Sequence, residues 1–136
     1  MIRKAVLDDA PAIHVLINDH AKKGRMLARP LAEIYENIRD YYVAVVRGRI
    51  VGVAGLHIAW DGLAEIKSVA VGRRHQGKGL GRSVVEACLA EGRDLGVRRF
   101  FTLTYLPGYF RRFGFKITDR SVLPHKVWSE CVKCPK

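Results

Sequence analysis

The sequence predicts an α/β (α+β) fold, with a central mixed but mostly antiparallel sheet flanked by helices. The first observation is a glycine-rich basic turn, Arg74-His75-Gln76-Gly77-Lys78-Gly79-Leu80-Gly81-Arg82, set between an apolar run ending at Val71 and a helix-like run from Leu80 to Leu95. The second is a trio of apolar runs, Tyr42 to Val46, Ile50 to Ile58 and Leu63 to Val71, joined by short turns at Arg47-Gly48-Arg49 and Trp60-Asp61-Gly62. Runs joined this closely pair as an antiparallel meander. The third is the order of elements, β-α-α-β-β-β-α-β-α-β-β, which interleaves helices with the strands.

Each element has a local reason. Ile2 to Val6 reads as the first strand. Asp8 or Asp9 can cap a helix that carries Pro11 in its first turn. Ile13, Leu16, Ile17 and His20 recur at spacings of three and four and so share one helix face. Lys22-Lys23-Gly24 ends that helix, and Leu31 to Ile38 forms a second one after Pro30. Beyond the meander, Leu80, Val84, Val85, Cys88 and Leu89 make the inward stripe of a third helix, which Gly96 terminates. Arg98 to Leu103 reads as a buried strand, Gly108 to Phe113 as a short helix, and Phe115 to Ile117 and Lys126 to Trp128 as the last strands.

Composition bounds the function. A chain of 136 residues predicts one domain over 1–136, with 49% hydrophobic and 27% charged residues as in a soluble globular protein. No apolar run approaches the roughly 20 residues that span a bilayer, and the N-terminus lacks the apolar segment of a signal peptide, so no membrane partner and a cytoplasmic location are expected. The net charge is +11, but the basic residues are dispersed, and no basic helix or aromatic-interleaved strand gathers them. The excess is read as steering anionic small molecules rather than as specific nucleic-acid binding. Cys88 falls on the apolar helix face as a small core residue. Cys131 and Cys134 form a lone C-x-x-C, too few ligands for zinc, so no metal is expected and a reduced pair is the simpler reading.

The glycine-rich turn is suited to phosphate. Glycines allow positive φ and close backbone approach, and the first-turn N–H groups of the following helix point at an anion with the helix dipole behind them. The turn lacks the G-x-x-x-x-G-K-[ST] of a P-loop, and G-x-G-x-x-G fails because Arg82 stands where the third glycine belongs. It matches Q/R-x-x-G-x-G as Gln76-x-x-Gly79-x-Gly81. In this it resembles the acetyl-CoA pyrophosphate loop of the GCN5-related N-acetyltransferases, whose element order is also the one read here. Phe110-Arg111-Arg112-Phe113-Gly114-Phe115 is similar to that family's Y-x-x-x-G-F ending, with phenylalanine in the tyrosine's place. The resemblance spans nearly the whole chain. It implies acetyl-CoA as co-substrate, held by Gln76, Gly77, Lys78, Gly79, Leu80, Gly81 and Arg82 and by the strand Ser68-Val69-Ala70-Val71, which in the family splays from the next strand and pairs with the pantetheine arm.

Three further stretches resemble the short, stand-alone form of N-acetylglutamate synthase: Met26 to Leu31 with Tyr35 to Asp40, Leu63 to Ile66, and Leu123 to Cys131. The longer form has an amino-acid-kinase-like domain that a chain of this length is not expected to hold. The resemblance implies transfer of the acetyl group to the α-amine of L-glutamate, a step of arginine biosynthesis. A dicarboxylate needs cationic anchors. By resemblance Arg29 matches the family's glutamate-binding arginine, and Lys126 is a candidate for the second carboxylate, with Arg25 and Arg82 as competitors. Arg29 as a solvated surface residue is the plainer alternative.

The amine must be neutral to attack, so a general base is expected. Glu65, an acid in a largely apolar strand, stands by resemblance where such synthases carry their base; a strand carboxylate paired with Lys67 is the structural alternative. A backbone N–H near Val69 suits the oxyanion. Phe110 cannot donate a proton to the departing thiolate, which leaves Thr104 and Tyr105 as substitutes; Tyr109 is expected to point elsewhere. Another amino acid, an amine or a protein N-terminus as acceptor stays open, as do a non-catalytic acetyl-CoA sensor and a homodimer.

Overall fold

The computed structural model describes residues 1–103 and 107–117. The chain runs through β1 (Ile2–Lys4), α1 (Ala10–Lys22), α2 (Leu31–Glu36), β2 (Tyr41–Val46), β3 (Arg49–Trp60), β4 (Leu63–Val71), α3 (Leu80–Asp94), β5 (Arg99–Phe101) and α4 (Pro107–Arg111). Among the described residues five strands form one sheet in the order β1-β2-β3-β4-β5. The first four pair antiparallel, and β5 joins parallel to β4. Parallel neighbours need a crossover, and α3 supplies it. The sheet is thus mixed and mostly antiparallel, as the sequence predicts.

Helices cover both faces. On one, Val84, Val85, Cys88 and Leu89 of α3 pack against Ala44, Ala54, Leu56, Ala64 and Ile66. On the other, Ile13 and Ile17 of α1 and Ile34 of α2 pack against Tyr41, Val43, Val53 and Ala70. Each fully buried aliphatic side chain contributes roughly 1.5–3 kcal/mol, so the inward stripe read from the α3 sequence is what holds that helix down. Burial also pushes the Cys88 thiol up to about 12, which makes it a packing residue and not a nucleophile. Gly92 sets how closely α3 meets β5: a Cβ there would stand 2.5 Å from Phe100 Cε1.

Several local expectations are corrected. β1 stops at Lys4, short of Val6. A 3-10 turn over Leu7–Asp9 precedes α1, and Asp9 already has helical angles (φ −81, ψ −15), so its side chain does not cap α1. Its carboxylate accepts instead from the Val6 N–H at 2.8 Å and from Arg3 Nη1 at 2.7 Å. The Arg3 hydrogen bond holds the Asp9 carboxyl below the usual range despite burial. The second helix ends at Glu36, and a 3-10 turn over Ile38–Asp40 takes over. The strand read over Arg98 to Leu103 is confined to Arg99–Phe101 and is half-buried. Phe115 to Ile117 are neither strand nor helix among the described residues. The strand read at Lys126 to Trp128 and the Cys131/Cys134 pair lie outside the described residues.

Candidate active site

β4 carries an extra residue. Its register with β3 runs Val53↔Ala70 and then Gly55↔Lys67, so Ser68 and Val69 together face Ala54. This is a β-bulge, which leaves one residue outside the ladder and bends the strand. Ser68 adopts φ 55, a left-handed conformation that a non-glycine residue rarely takes. β5 pairs with β4 only from Leu63↔Arg99 to Glu65↔Phe101, and Thr102 Oγ1 then donates to the Ile66 carbonyl at 2.8 Å. Past that point the two strands part.

The parting opens a cleft of about 630 Å³. One wall comes from β4, with Ser68, Val69 and Val71; the other from Thr102, Leu103, Tyr109 and Phe110. Its floor is the glycine-rich turn and the start of α3. Gly77 and Gly79 take φ 79 and φ 80, which is why glycine is needed at both. Gly79 is the N-cap of α3 and provides no capping side chain. The first-turn amides of the helix are therefore left for a ligand. Arg25, Arg82, Arg112, His20 and His75 line the cleft, and among the described residues no acidic side chain does. That lining suits a polyanion. His20 Nε2 and Gln76 Nε2 both donate to the Val71 carbonyl, at 3.0 and 3.1 Å, and tie the loop to the end of β4.

Gly79 tests the cradle. A Cβ there would meet nothing within 4 Å, but φ 80 is strained for any side chain. Gly79→Val should stay folded with a loss of about 1–2 kcal/mol. It should lose the rise in melting temperature that acetyl-CoA gives the parent. A retained shift in thermal-shift titrations would remove the loop as phosphate cradle.

A second polar group lies on the α1/α2 side of β4. Lys67, 7% exposed, places Nζ 3.1 Å from Asp40 Oδ2, and the same oxygen accepts from His57 Nδ1 at 2.9 Å. Burial opposes ionisation of Asp40, but the His57 hydrogen bond and the Lys67 charge outweigh it and hold the carboxyl below its usual range. Lys67 is thus paired with Asp40. Glu65 is half-buried directly across from His57. Arg29 lies in the loop before α2, with Nη1 2.8 Å from Glu33 Oε1 and Nε buried with no hydrogen-bond partner among the described residues. Burial disfavours the Arg29 charge, but Glu33, with Tyr41 and Glu65 in electrostatic reach, raises its pKa overall.

Of the residues singled out in the sequence, Val69, Val71, Gln76, Gly77, Gly79, Leu80, Gly81 and Arg82 line the cleft. Ala70 does not, because strand alternation turns it into the α1 core. Lys78 is exposed on the tip of the turn. Arg29 and Glu65, within electrostatic reach of each other, do not line the cleft. Thr104, Tyr105 and Lys126 lie outside the described residues. Tyr109 departs from expectation: it lines the cleft along with Phe110, its hydroxyl 2.6 Å from where a Gly81 Cβ would stand. Adjacent helix residues diverge by only about 100°, so both Tyr109 and Phe110 can face one cleft. Burial raises the Tyr109 pKa, with Arg112 and Arg82 opposing, so it is a protonated phenol at neutral pH. Tyr41 and the pairing of Asp40 with His57 and Lys67 escaped sequence reading; the one available signal was polar residues inside apolar strands.

The family profile described as acetyltransferase (GNAT) family matches residues 11–115. The chain is 38% identical over 135 residues to an uncharacterised N-acetyltransferase of Chlorobaculum tepidum, covering 99% of this chain and 87% of that protein. It is 34% identical over 133 residues to an amino-acid acetyltransferase of Mycobacterium tuberculosis, covering 96% of this chain and 76% of that one. A Mycobacterium tuberculosis protein solved in complex with CoA superposes with a TM-score of 0.87 at 32% identity, over 100% of this chain and 83% of the other. The N-acetylglutamate synthase of Neisseria gonorrhoeae, solved with coenzyme A and N-acetyl-glutamate, gives 0.93 at 25% identity, over 99% of this chain and 32% of the other.

Proposed function

This chain belongs to the acetyltransferase (GNAT) family, an acetyl-CoA-dependent N-acetyltransferase, and we propose that its acceptor is the α-amine of L-glutamate. The observation that carries this reading is Arg29, whose Nε is buried with no hydrogen-bond partner among the described residues and which lies within electrostatic reach of Glu65. A buried cation suits an acceptor carboxylate, and a neighbouring carboxylate suits an amine. The named relatives support the same choice: an amino-acid acetyltransferase and an N-acetylglutamate synthase.

In this reading acetyl-CoA lies with its pyrophosphate on the first turn of α3 and its thioester at the β4 bulge. Glu65 takes a proton from the acceptor ammonium. The freed amine attacks the thioester carbonyl, and the oxyanion that forms is met by a backbone N–H near Val69. The nitrogen gives its remaining extra proton to water as the oxyanion collapses and the C–S bond breaks, and CoA leaves as thiolate, which Thr104, Tyr105 or Tyr109 reprotonates before regaining its own proton from solvent. Tyr109 supports this role as a protonated phenol on the cleft wall. Lys126 and the arginines Arg25 and Arg82 are the candidates for the second carboxylate. The catalytic unit is one domain over 1–136, in arginine biosynthesis.

The test is CoA release measured as free thiol with acetyl-CoA and a panel of amino acids and amines. L-Glutamate should be the best acceptor, with glutamine roughly tenfold or more behind in kcat/KM, the cost of one lost charge-assisted contact. Equal turnover of glutamine would sink the side-chain-carboxylate argument. Release with simple amines alone would move the acceptor to another class. Acetyl-CoA binding with no release for any acceptor would make the protein a sensor.

A further inference from the structure

Gly81 is a glycine that its own backbone does not require. Gly77 and Gly79 have positive φ, and Gly81 does not. It is the second residue of α3, where glycine costs more chain entropy than alanine. The reason for it lies across the cleft. A Cβ on Gly81 would stand 2.6 Å from Tyr109 Oη, while the next atoms, Val71 Cγ2 and Tyr109 Cζ, lie at 3.3 and 3.7 Å. The hydroxyl is therefore what bars a side chain at this position. The bare Cα is its seat.

That seat is next to the phosphate cradle. Cα–Cβ bonds lean toward the N-terminus of a helix, so an atom at the Gly81 Cβ position lies beside the open first turn. Gly79 caps that turn without a side chain, which leaves its amides for an anion. The hydroxyl also stands at the Val71 end of β4, whereas the bulge assigned to the thioester is at Ser68 and Val69. Two strand residues separate those points by roughly 7 Å. The ring is held in place: Phe110 meets it edge-on with centroids 5.2 Å apart, Phe113 packs at 5.7 Å, and the Arg112 guanidinium lies 5.8 Å from its centroid. Gly81, Arg82, Tyr109 and Arg112 all line the one cleft. A neutral phenol there has a hydrogen to give to a phosphate oxygen, with two arginines at hand.

We propose that Tyr109 is a cofactor-binding residue, its hydroxyl donating to the diphosphate of acetyl-CoA on the first turn of α3, and that position 81 is glycine in order to admit it. This rests on acetyl-CoA as the cofactor, and it leaves proton donation to the departing thiolate to Thr104 and Tyr105. Tyr109→Phe is the fitting variant, because it keeps the ring contacts and removes one donor. Gly81→Ala is the second, because it displaces the hydroxyl from the other side.

Calorimetric titration of CoA should give Y109F a dissociation constant raised about tenfold, the effect of one hydrogen bond to a charged group. Dephospho-CoA, which keeps the diphosphate and lacks the 3′-phosphate, should show the same ratio. Pantetheine, followed by NMR titration, should bind parent and Y109F alike. G81A should weaken CoA at least as much in the parent, yet cost under about twofold when added to Y109F, since the atom it would meet has gone. In CoA-release assays Y109F should raise the acetyl-CoA KM with kcat within about twofold of the parent. Parental CoA affinity in Y109F would overturn the proposal, and a lowered kcat alongside it would make Tyr109 the proton donor to the thiolate. A loss confined to CoA would move the hydroxyl to the 3′-phosphate, and an equal loss with pantetheine would move it to the pantetheine arm; either result overturns it. Additive effects of G81A and Y109F would end the claim for position 81. A parent that releases no CoA with any acceptor would overturn the acetyl-transfer reading instead, and the binding titrations would still decide Tyr109.

Discussion

Glu65→Gln should lower turnover by about 10²–10⁴-fold, the usual contribution of a positioned general base, while acetyl-CoA still binds. The substitution preserves shape on β4 and removes the proton acceptor. The ladder with β3, in which Glu65 faces His57, is backbone and stays intact. The loss should shrink as pH rises, because free amine then becomes abundant and needs no base. Stopped assays of CoA release from neutral to alkaline pH, with calorimetry for acetyl-CoA, separate the two effects. Near-parental turnover at neutral pH would take Glu65 out of the mechanism and leave the enzyme selecting the neutral amine unaided. A collapse of acetyl-CoA binding would make Glu65 a structural residue.

Arg29→Ala should raise the KM for glutamate well over tenfold and leave acetyl-CoA affinity nearly unchanged. Truncating one partner of a buried, hydrogen-bonded charge pair costs roughly 2–5 kcal/mol. The protein should tolerate the change, because Glu33 is 37% exposed and water can replace its lost partner. Asn18 Oδ1 accepts from the Arg29 backbone N–H and Asn18 Nδ2 donates to the Arg29 carbonyl, so the loop keeps its tether. Initial-rate kinetics varying each substrate in turn decide the point. Equal rises in both Michaelis constants would mean that Arg29 braces the loop and binds no acceptor.

The fold was legible wherever burial imposes a period. The α3 stripe of Val84, Val85, Cys88 and Leu89 is buried as the spacing requires. The two tight turns also announced themselves: Arg47 and Gly48 have positive φ, as does Gly62 of the Asp61-Gly62 pair. The phosphate cradle was legible for the same reason, since only glycine serves at Gly77 and Gly79. What failed was set by long-range geometry. β5 is short because β4 turns away at Ser68, and a serine at φ 55 carries no local warning of that bend. Asp9 looked like a cap until Arg3, six residues back, took its carboxylate. Tyr109 was assigned the wrong side because the width of the cleft is a property of two strands and a helix together.

The extra residue in β4 has a meaning beyond the bend it makes. Before it, the odd-numbered Glu65 and Lys67 look toward α1 and α2 while Ala64 and Ile66 look toward α3. After it the parity has switched: Ala70 sits in the α1 core and Val69 packs toward α3. Strike Ser68 from the strand and plain alternation returns, with every apolar residue still facing the core it now fills. The bulge is an inserted letter that the hydrophobic text does not need in order to be read. Packing alone therefore does not call for it, and its use lies in the chemistry done at that one point of the backbone.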